Sequence, residues 1–154
     1  MTPMQPLITL LAQSEAERDS AQAEFARLTA VHQTAALQAE QLVQYRLDYE
    51  QRWAKQFQSA STMTLVQCYR GFMQRLSLAV EQQQQACRHA AQQAGLARSS
   101  LVAHEIRVAT VRKLVERRVA DDVTAQARKD QKNSDEFAAR SAWNRSQSEA
   151  SPAA

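Results

Sequence analysis

The chain has 154 residues, with only two glycines, three prolines and a 6% share of aromatic residues. So few turn-forming and aromatic residues do not favour a sheet or a loop-rich globule. Hydrophobic residues reach 44%, but alanine supplies much of that share, so a deep core is hard to fill. The net charge of +3 comes from 19 basic and 16 acidic residues that are largely interspersed, which is weak support for a nucleic-acid partner.

Cysteine usage and hydropathy predict a reducing, aqueous compartment. Cys68 and Cys87, nineteen positions apart on one helix, would lie roughly 28 Å from each other, beyond the reach of a disulfide. Residues 1–11 lack a basic flank, and no run of about twenty apolar residues occurs. We therefore expect a cytoplasmic, soluble protein.

The first predicted element is a helix over about residues 5–57. Its apolar residues recur at alternating steps of three and four, which is the period of a coiled-coil seam. Ser14, Arg18, His32 and Arg46 interrupt the series without changing its period. The apolar members are Leu7, Leu11, Ala21, Phe25, Leu28, Ala35, Ala39, Leu42, Tyr49 and Trp53.

A cluster of hydroxyl residues predicts a turn over about residues 58–64, and a second helix over about 65–142. This helix continues through Gly71 and Gly95, each of which weakens a helix interior by about 1 kcal/mol. Only Gln83 and His104 are polar in its seam series, which is Val66, Tyr69, Met73, Leu76, Val80, Gln83, Cys87, Ala90, Ala94, Ala97, Leu101, His104, Val108, Val111 and Val115.

These two series predict an all-α fold, a long two-helix antiparallel coiled-coil hairpin whose second helix is longer than the first. We expect a single domain over residues 1–145 and a disordered tail over 146–154. A reversal near Ser61 pairs residues whose numbers add to about 122, as for Leu42 and Val80, Phe25 and Ala97, or Ala21 and Leu101. Beyond about Arg118 the second helix has no partner within the chain.

The sequence offers no constellation for catalysis, a cofactor or a metal. Two glycines cannot build a phosphate-binding loop, and His32, His89 and His104 lack the spacing of metal ligands. Cys87 and His89, two apart on a helix, point to different faces. We predict that the protein is not an enzyme.

Two surfaces are candidate partner sites. A second apolar stripe, Leu65, Phe72, Leu76 and Ala79, runs beside the seam of helix two and should be partly exposed, although a rotation that buries Phe72 in place of Met73 is an alternative. Residues 96–118 carry six arginines and lysines against two glutamates, as a solvated face or as a surface for an acidic partner.

Three blocks in chain order resemble the flagellar export protein FliJ family. They are Leu42-Val43-Gln44-Tyr45-Arg46-Leu47-Asp48-Tyr49, then Tyr69-Arg70-Gly71-Phe72-Met73-Gln74-Arg75-Leu76 with Ala79, Val80, Glu81 and Gln82, and finally Gln131-Lys132-Asn133-Ser134-Asp135-Glu136-Phe137-Ala138.

The resemblance implies a stalk that inserts into the hexameric export ATPase FliI, contacts the linker of the membrane export gate FlhA, and escorts export chaperones. It also implies a cytoplasmic protein at the flagellar base, peripheral at the inner face of the cell membrane through partners only. The implied gate contacts are Phe72, Leu76, Ala79 and Gln83, the last replacing a histidine of some relatives. For the ring we assign the basic face and the third block, namely Arg112, Lys113, Arg117, Arg118, Gln131, Asp135, Glu136 and Phe137.

Two other readings are open at this point. A stalk protein of a virulence-type secretion system would share the architecture. A nucleic-acid-associated coiled coil would use residues 107–118 and would lose binding steeply with salt.

Overall fold

A computed structural model describes residues 4–59 and 61–151. Helix α1 spans Met4–Ser59, with 56 residues, and helix α2 spans Met63–Glu149, with 87 residues. No strand occurs in these two described ranges. The predicted all-α hairpin with a longer second helix is therefore confirmed.

The turn between the helices is shorter than expected. Residues 61 and 62 are non-helical, and Ala60, also within the predicted turn, lies outside the described residues. Thr62 begins α2 as its N-cap: its hydroxyl oxygen accepts a hydrogen bond from the Leu65 N–H at 3.3 Å, and its carbonyl accepts one from the Val66 N–H at 3.1 Å. One capping threonine thus fixes the start of the helix.

At its other end α2 continues to Glu149, seven residues past the expected Ala142, so residues 146–149 are helical where a disordered tail was expected. The serines of this segment bond back to the helix, Ser146 Oγ to the Trp143 carbonyl at 2.8 Å and Ser148 Oγ to the Arg145 carbonyl at 2.9 Å. No apolar period runs this far, so the extension was not visible in the sequence. Residues 152–154 lie outside the described part of the chain.

The chain forms two compact units, where the sequence led us to expect one. The first, called here the hairpin unit, is Ser14–Arg107 and contains the turn. The second, called the terminal unit, is formed by Met1–Gln13 together with Val108–Ala154.

Within the hairpin unit the observed register agrees with the predicted one. The rings of Tyr49 and Phe72, whose numbers add to 121, have centroids 4.5 Å apart. The rings of Trp53 and Tyr69, whose numbers add to 122, lie 5.4 Å apart. At the far end of the unit, Glu17 Oε2 lies 3.9 Å from His104 Nδ1, again with a sum of 121.

The core is a narrow line along the seam. Buried apolar residues are few, and most other seam residues are only half-buried, as expected where one helix covers one face of another. The buried apolar side chains are Ala35, Leu76, Val80, Ala90 and Leu101 in the hairpin unit, and Val108 and Val111 in the terminal unit.

In the terminal unit α2 loses its cover after Arg118. We call residues 119–149 the overhang. All of them are exposed except Ser141, which is half-buried. The expectation that no partner helix covers this segment agrees with the exposure of its described side chains.

Candidate partner-binding faces

The four predicted gate residues lie on α2 in the hairpin unit. Leu76 is 7% exposed and belongs to the seam core, whereas Phe72, Ala79 and Gln83 are half-buried. The second apolar stripe is therefore one flank of the seam and not a separate solvent-facing surface. Met73 is half-buried as well, so neither residue displaces the other from the interface.

Phe72 connects this flank to α1. Its ring packs on Tyr49, and the Tyr49 ring in turn lies 5.5 Å from that of Tyr45. Tyr45, which lies outside the predicted seam series, is 48% exposed. The candidate gate face thus includes side chains from both helices.

Gln83 is held by α1. Its side-chain amide donates a hydrogen bond to the Ala35 carbonyl oxygen at 3.1 Å and another to Gln38 Oε1 at 3.2 Å. A polar residue at a seam position costs stability but specifies which residues pair. Gln38 was not predicted as a site residue, and its only sequence signal is a position seven before Tyr45. We use the name gate face for Phe72, Leu76, Ala79, Gln83, Gln38, Tyr45 and Tyr49.

Next to the gate face lies a largely apolar groove of about 780 Å³, which we call the flank groove. Gln38 and Gln83 belong to both surfaces. Among its lining residues, Val31 is 46% exposed and Ala86 is exposed, while Ala35 and Ala90 are buried. The full lining is Arg27, Leu28, Ala30, Val31, Thr34, Ala35, Gln38, Gln83, Ala86, His89, Ala90 and Gln93.

The charge at the groove edge is locally compensated. Arg27 donates to both carboxylate oxygens of Glu24, at 2.6 and 3.0 Å. This hydrogen bonding lowers the pKa of Glu24 and raises the pKa of Arg27. The attraction between the two charges also lowers the Glu24 pKa and raises the Arg27 pKa. Arg27 therefore adds little free positive charge to the flank groove.

A second cavity, of about 660 Å³, lies near the turn and has a more charged lining. It includes Glu50, Arg70 and Glu81 beside Tyr69 and Leu78. Of these, Arg70 and Glu81 belong to α2, at positions that follow the seam residues Tyr69 and Val80. This cavity shares no residue with the flank groove.

All eight predicted ring residues lie in the terminal unit, on α2. Arg118 is half-buried and the other seven are exposed. Several are engaged in pairs along the helix: Lys113 Nζ lies 3.8 Å from Glu116, Arg118 Nε lies 3.6 Å from Asp122, and the Gln131 amide donates to Asp135 at 2.9 Å.

Two large aromatic side chains project from the overhang. Phe137 is 73% exposed, and Trp143, which was not among the predicted ring residues, is 65% exposed. Their separation of six residues fits neither the seam period nor a stripe, which is why periodicity did not single out Trp143. Exposed tryptophan and phenylalanine beside arginine are typical of interface anchors.

No group of three or more histidine, cysteine, aspartate or glutamate side chains able to hold a metal ion occurs among the described residues. Cys68 is exposed and Cys87 half-buried, and both are free thiols. In the described part of the chain, neither helix has a stretch apolar enough to cross a membrane.

The fold defines a two-helix coiled-coil protein with exposed large apolar side chains on both helices. The family model for the flagellar FliJ protein matches residues 4–147, and the chain therefore belongs to the FliJ family. It is thus a coiled-coil protein related to flagellar protein export, from a family of non-catalytic accessory proteins. No curated protein and no solved structure is significantly similar to the chain.

Proposed function

We propose that the protein is the stalk of the flagellar export ATPase, acting at the cytoplasmic side of the flagellar base. In this proposal the overhang enters the hexameric ring of FliI, the gate face binds the linker of the export gate FlhA, and the protein escorts empty export chaperones. The main observation in support of this proposal is the overhang, a helical segment of 31 residues that no other described helix packs against. An uncovered helix with exposed aromatic anchors fits insertion into a surrounding partner.

The gate contact is supported by the composition of the gate face. Phe72 and Tyr49 offer a ring pair that is only half-buried, and Tyr45 leaves about half of its surface to a partner. Aromatic side chains that keep part of their area exposed supply much of the binding energy of interfaces.

The family match favours the flagellar system over a virulence-type system, because the matching model is that of the flagellar protein. The nucleic-acid alternative receives no comparable support. Three of its basic residues lie near carboxylates: Arg107 near Glu17 at 3.5 Å, Lys113 near Glu116 and Arg118 near Asp122.

A binding experiment with the export ATPase tests the ring proposal. The double variant Phe137→Ala with Trp143→Ala removes both overhang anchors, and Leu78→Ala serves as the matched control because Leu78 is 54% exposed but lies in the hairpin unit. We expect the double variant to weaken binding to the assembled ring at least about tenfold, which corresponds to about 1.4 kcal/mol, with the control unchanged. If the double variant and the control bind the ring equally well, Phe137 and Trp143 do not contribute to the ring contact.

A further inference from the structure

The cavity near the turn, called here the turn cavity, shares no residue with the gate face and has no part in the proposed contacts. We propose that it binds a second copy of this chain, and that the overhang of that second copy lies in it as a helix. The contact needs no protein other than this one, so its test is independent of the proposed function.

The lining of the turn cavity favours a helix that carries large apolar side chains. Half-buried Phe57 of α1 and half-buried Val66 and Met73 of α2 belong to this lining, together with Leu78, which is 54% exposed. Apolar surface that stays in contact with water favours a partner that covers it, and a helix laid along an apolar groove is a recurring way to do so.

The charges around the turn cavity favour a basic occupant. Its lining includes the exposed side chains of Glu50, Arg70 and Glu81. None of these three forms an ion pair with another residue of the described chain, whereas Glu24 and Glu116 each lie beside a basic side chain. Two carboxylates against one guanidinium leave an excess of negative charge that a basic helix would neutralise.

One face of the overhang carries the complementary groups. At 3.6 residues per turn, Lys132, Phe137, Arg140 and Trp143 fall within about 140° of the helix circumference, and all four are exposed. Neither basic residue of this face forms an ion pair with another described residue. Glu136 lies on the same face, four residues from each of them, and the basic residues still outnumber it.

The charged groups of the two surfaces also match in spacing. The register sums of 121 and 122 place Glu50 level with residues 71–72 of α2, so Glu50 and Glu81 lie about nine residues apart along the hairpin unit, or roughly 14 Å. Lys132 and Arg140 are eight residues apart in the sequence, or roughly 12 Å. An overhang that runs antiparallel to α2 with Lys132 at Glu81 therefore brings Arg140 to Glu50.

The same placement gives both exposed aromatic side chains of the overhang a partner. Phe137 comes between the two glutamates, close to the lining residues Met73 and Ser77. Trp143 comes level with Arg70, and a guanidinium on an indole ring is a favourable cation–π contact. Charge, spacing and apolar content thus all favour the overhang of a second copy as the occupant.

Charge reversal on each surface tests this contact. The cavity variant is Glu50→Lys with Glu81→Lys, and the overhang variant is Lys132→Glu with Arg140→Glu. The full chain of each variant is measured by sedimentation velocity over a concentration series, which gives the Kd of self-association. Circular dichroism checks that the helices are retained, as expected for substitutions at exposed positions.

The matched control is Glu40→Lys with Glu105→Lys. It changes the net charge as the cavity variant does, at two exposed glutamates of the hairpin unit that lie outside the turn cavity.

We expect the unchanged chain and the control to self-associate as concentration rises, and each charge-reversal variant to associate at least about tenfold more weakly. A one-to-one mixture of the cavity and overhang variants should associate again. In that mixture the reversed overhang meets the reversed cavity, and the unchanged overhang meets the unchanged cavity. Added salt should weaken the association of the unchanged chain.

Three results would overturn the inference. The first is an unchanged chain that stays monomeric up to its limit of solubility. The second is self-association that the cavity variant and its control alter equally, since the contact would then lie on another surface. The third is a mixture of the two reversed variants that fails to associate although both are helical, since the two surfaces would then not pair with each other.

Discussion

At the residue scale, Phe72 is packed on one side and accessible on the other: its half-buried ring packs on Tyr49 while part of it stays exposed. Truncation to alanine should lower the free energy of unfolding by about 1–3 kcal/mol, less than the 3–5 kcal/mol typical of a fully buried phenylalanine. Urea denaturation measures this, with Leu78→Ala as an exposed control that should change stability by less than about 0.5 kcal/mol. A loss below about 1 kcal/mol would mean that the Tyr49 contact contributes little to folding.

Gly95 offers a stabilising substitution at the same scale. It lies inside α2, is exposed, and a Cβ built on it meets nothing within 4 Å. Gly95→Ala should therefore raise stability by about 1 kcal/mol, because alanine lowers the entropy cost of the helix without a steric conflict. In a chain of this length the increase corresponds to a rise in Tm of about 2–4 °C, measurable by circular dichroism. An unchanged or lower Tm would reveal a contact at this position that the helix geometry does not show.

At the element scale, the overhang is held by local side-chain pairs in place of a seam. Gln126 donates to Asp130 at 3.0 Å and Gln131 to Asp135 at 2.9 Å, both at a spacing of four residues. Such pairs each stabilise a helix by only about 0.2–0.5 kcal/mol. Amide hydrogens of residues 119–149 should therefore exchange faster than those of residues 101–115, where Leu101, Val108 and Val111 are buried.

The same exchange experiment repeated with the export ATPase should slow exchange in the overhang and leave residues 101–115 unchanged. Protection that is uniform along α2 in the free protein would contradict this picture of the overhang. Protection that appears only in the hairpin unit on adding the ATPase would mean that the overhang is not the segment that contacts the ring.

For the molecule as a whole, the proposed faces lie in different units, which predicts that their contributions are separable. Phe72→Ala should weaken gate binding at least about tenfold and leave ring binding within about twofold, and the Phe137→Ala, Trp143→Ala double variant should do the reverse. Free-energy changes at distant, independent sites add to within about 0.3–0.5 kcal/mol, so the triple variant should lose the sum in each assay. A variant that impairs both contacts together would place the gate and ring functions on one surface.

The helical class, the seam and its register could be predicted from sequence because they depend on the short-range spacing of apolar residues along the chain. The pairing of Tyr49 with Phe72 follows from this period. Which flank stays accessible could not be predicted, since it depends on small rotations of both helices. The hydrogen bond from Gln83 to the Ala35 carbonyl, 48 positions away, follows from no local pattern, and Trp143 belongs to no periodic series.

The change from a paired to a single helix after Arg118 also has a mechanical consequence. Two helices in a seam resist twisting through side chains that interlock across their contact, whereas a single helix resists it only through its own backbone hydrogen bonds. A torque applied to the overhang would therefore be stored first as elastic twist in residues 119–149. A ring that grips α2 near Val119 transmits torque to the seam more stiffly than a ring that grips it near Trp143.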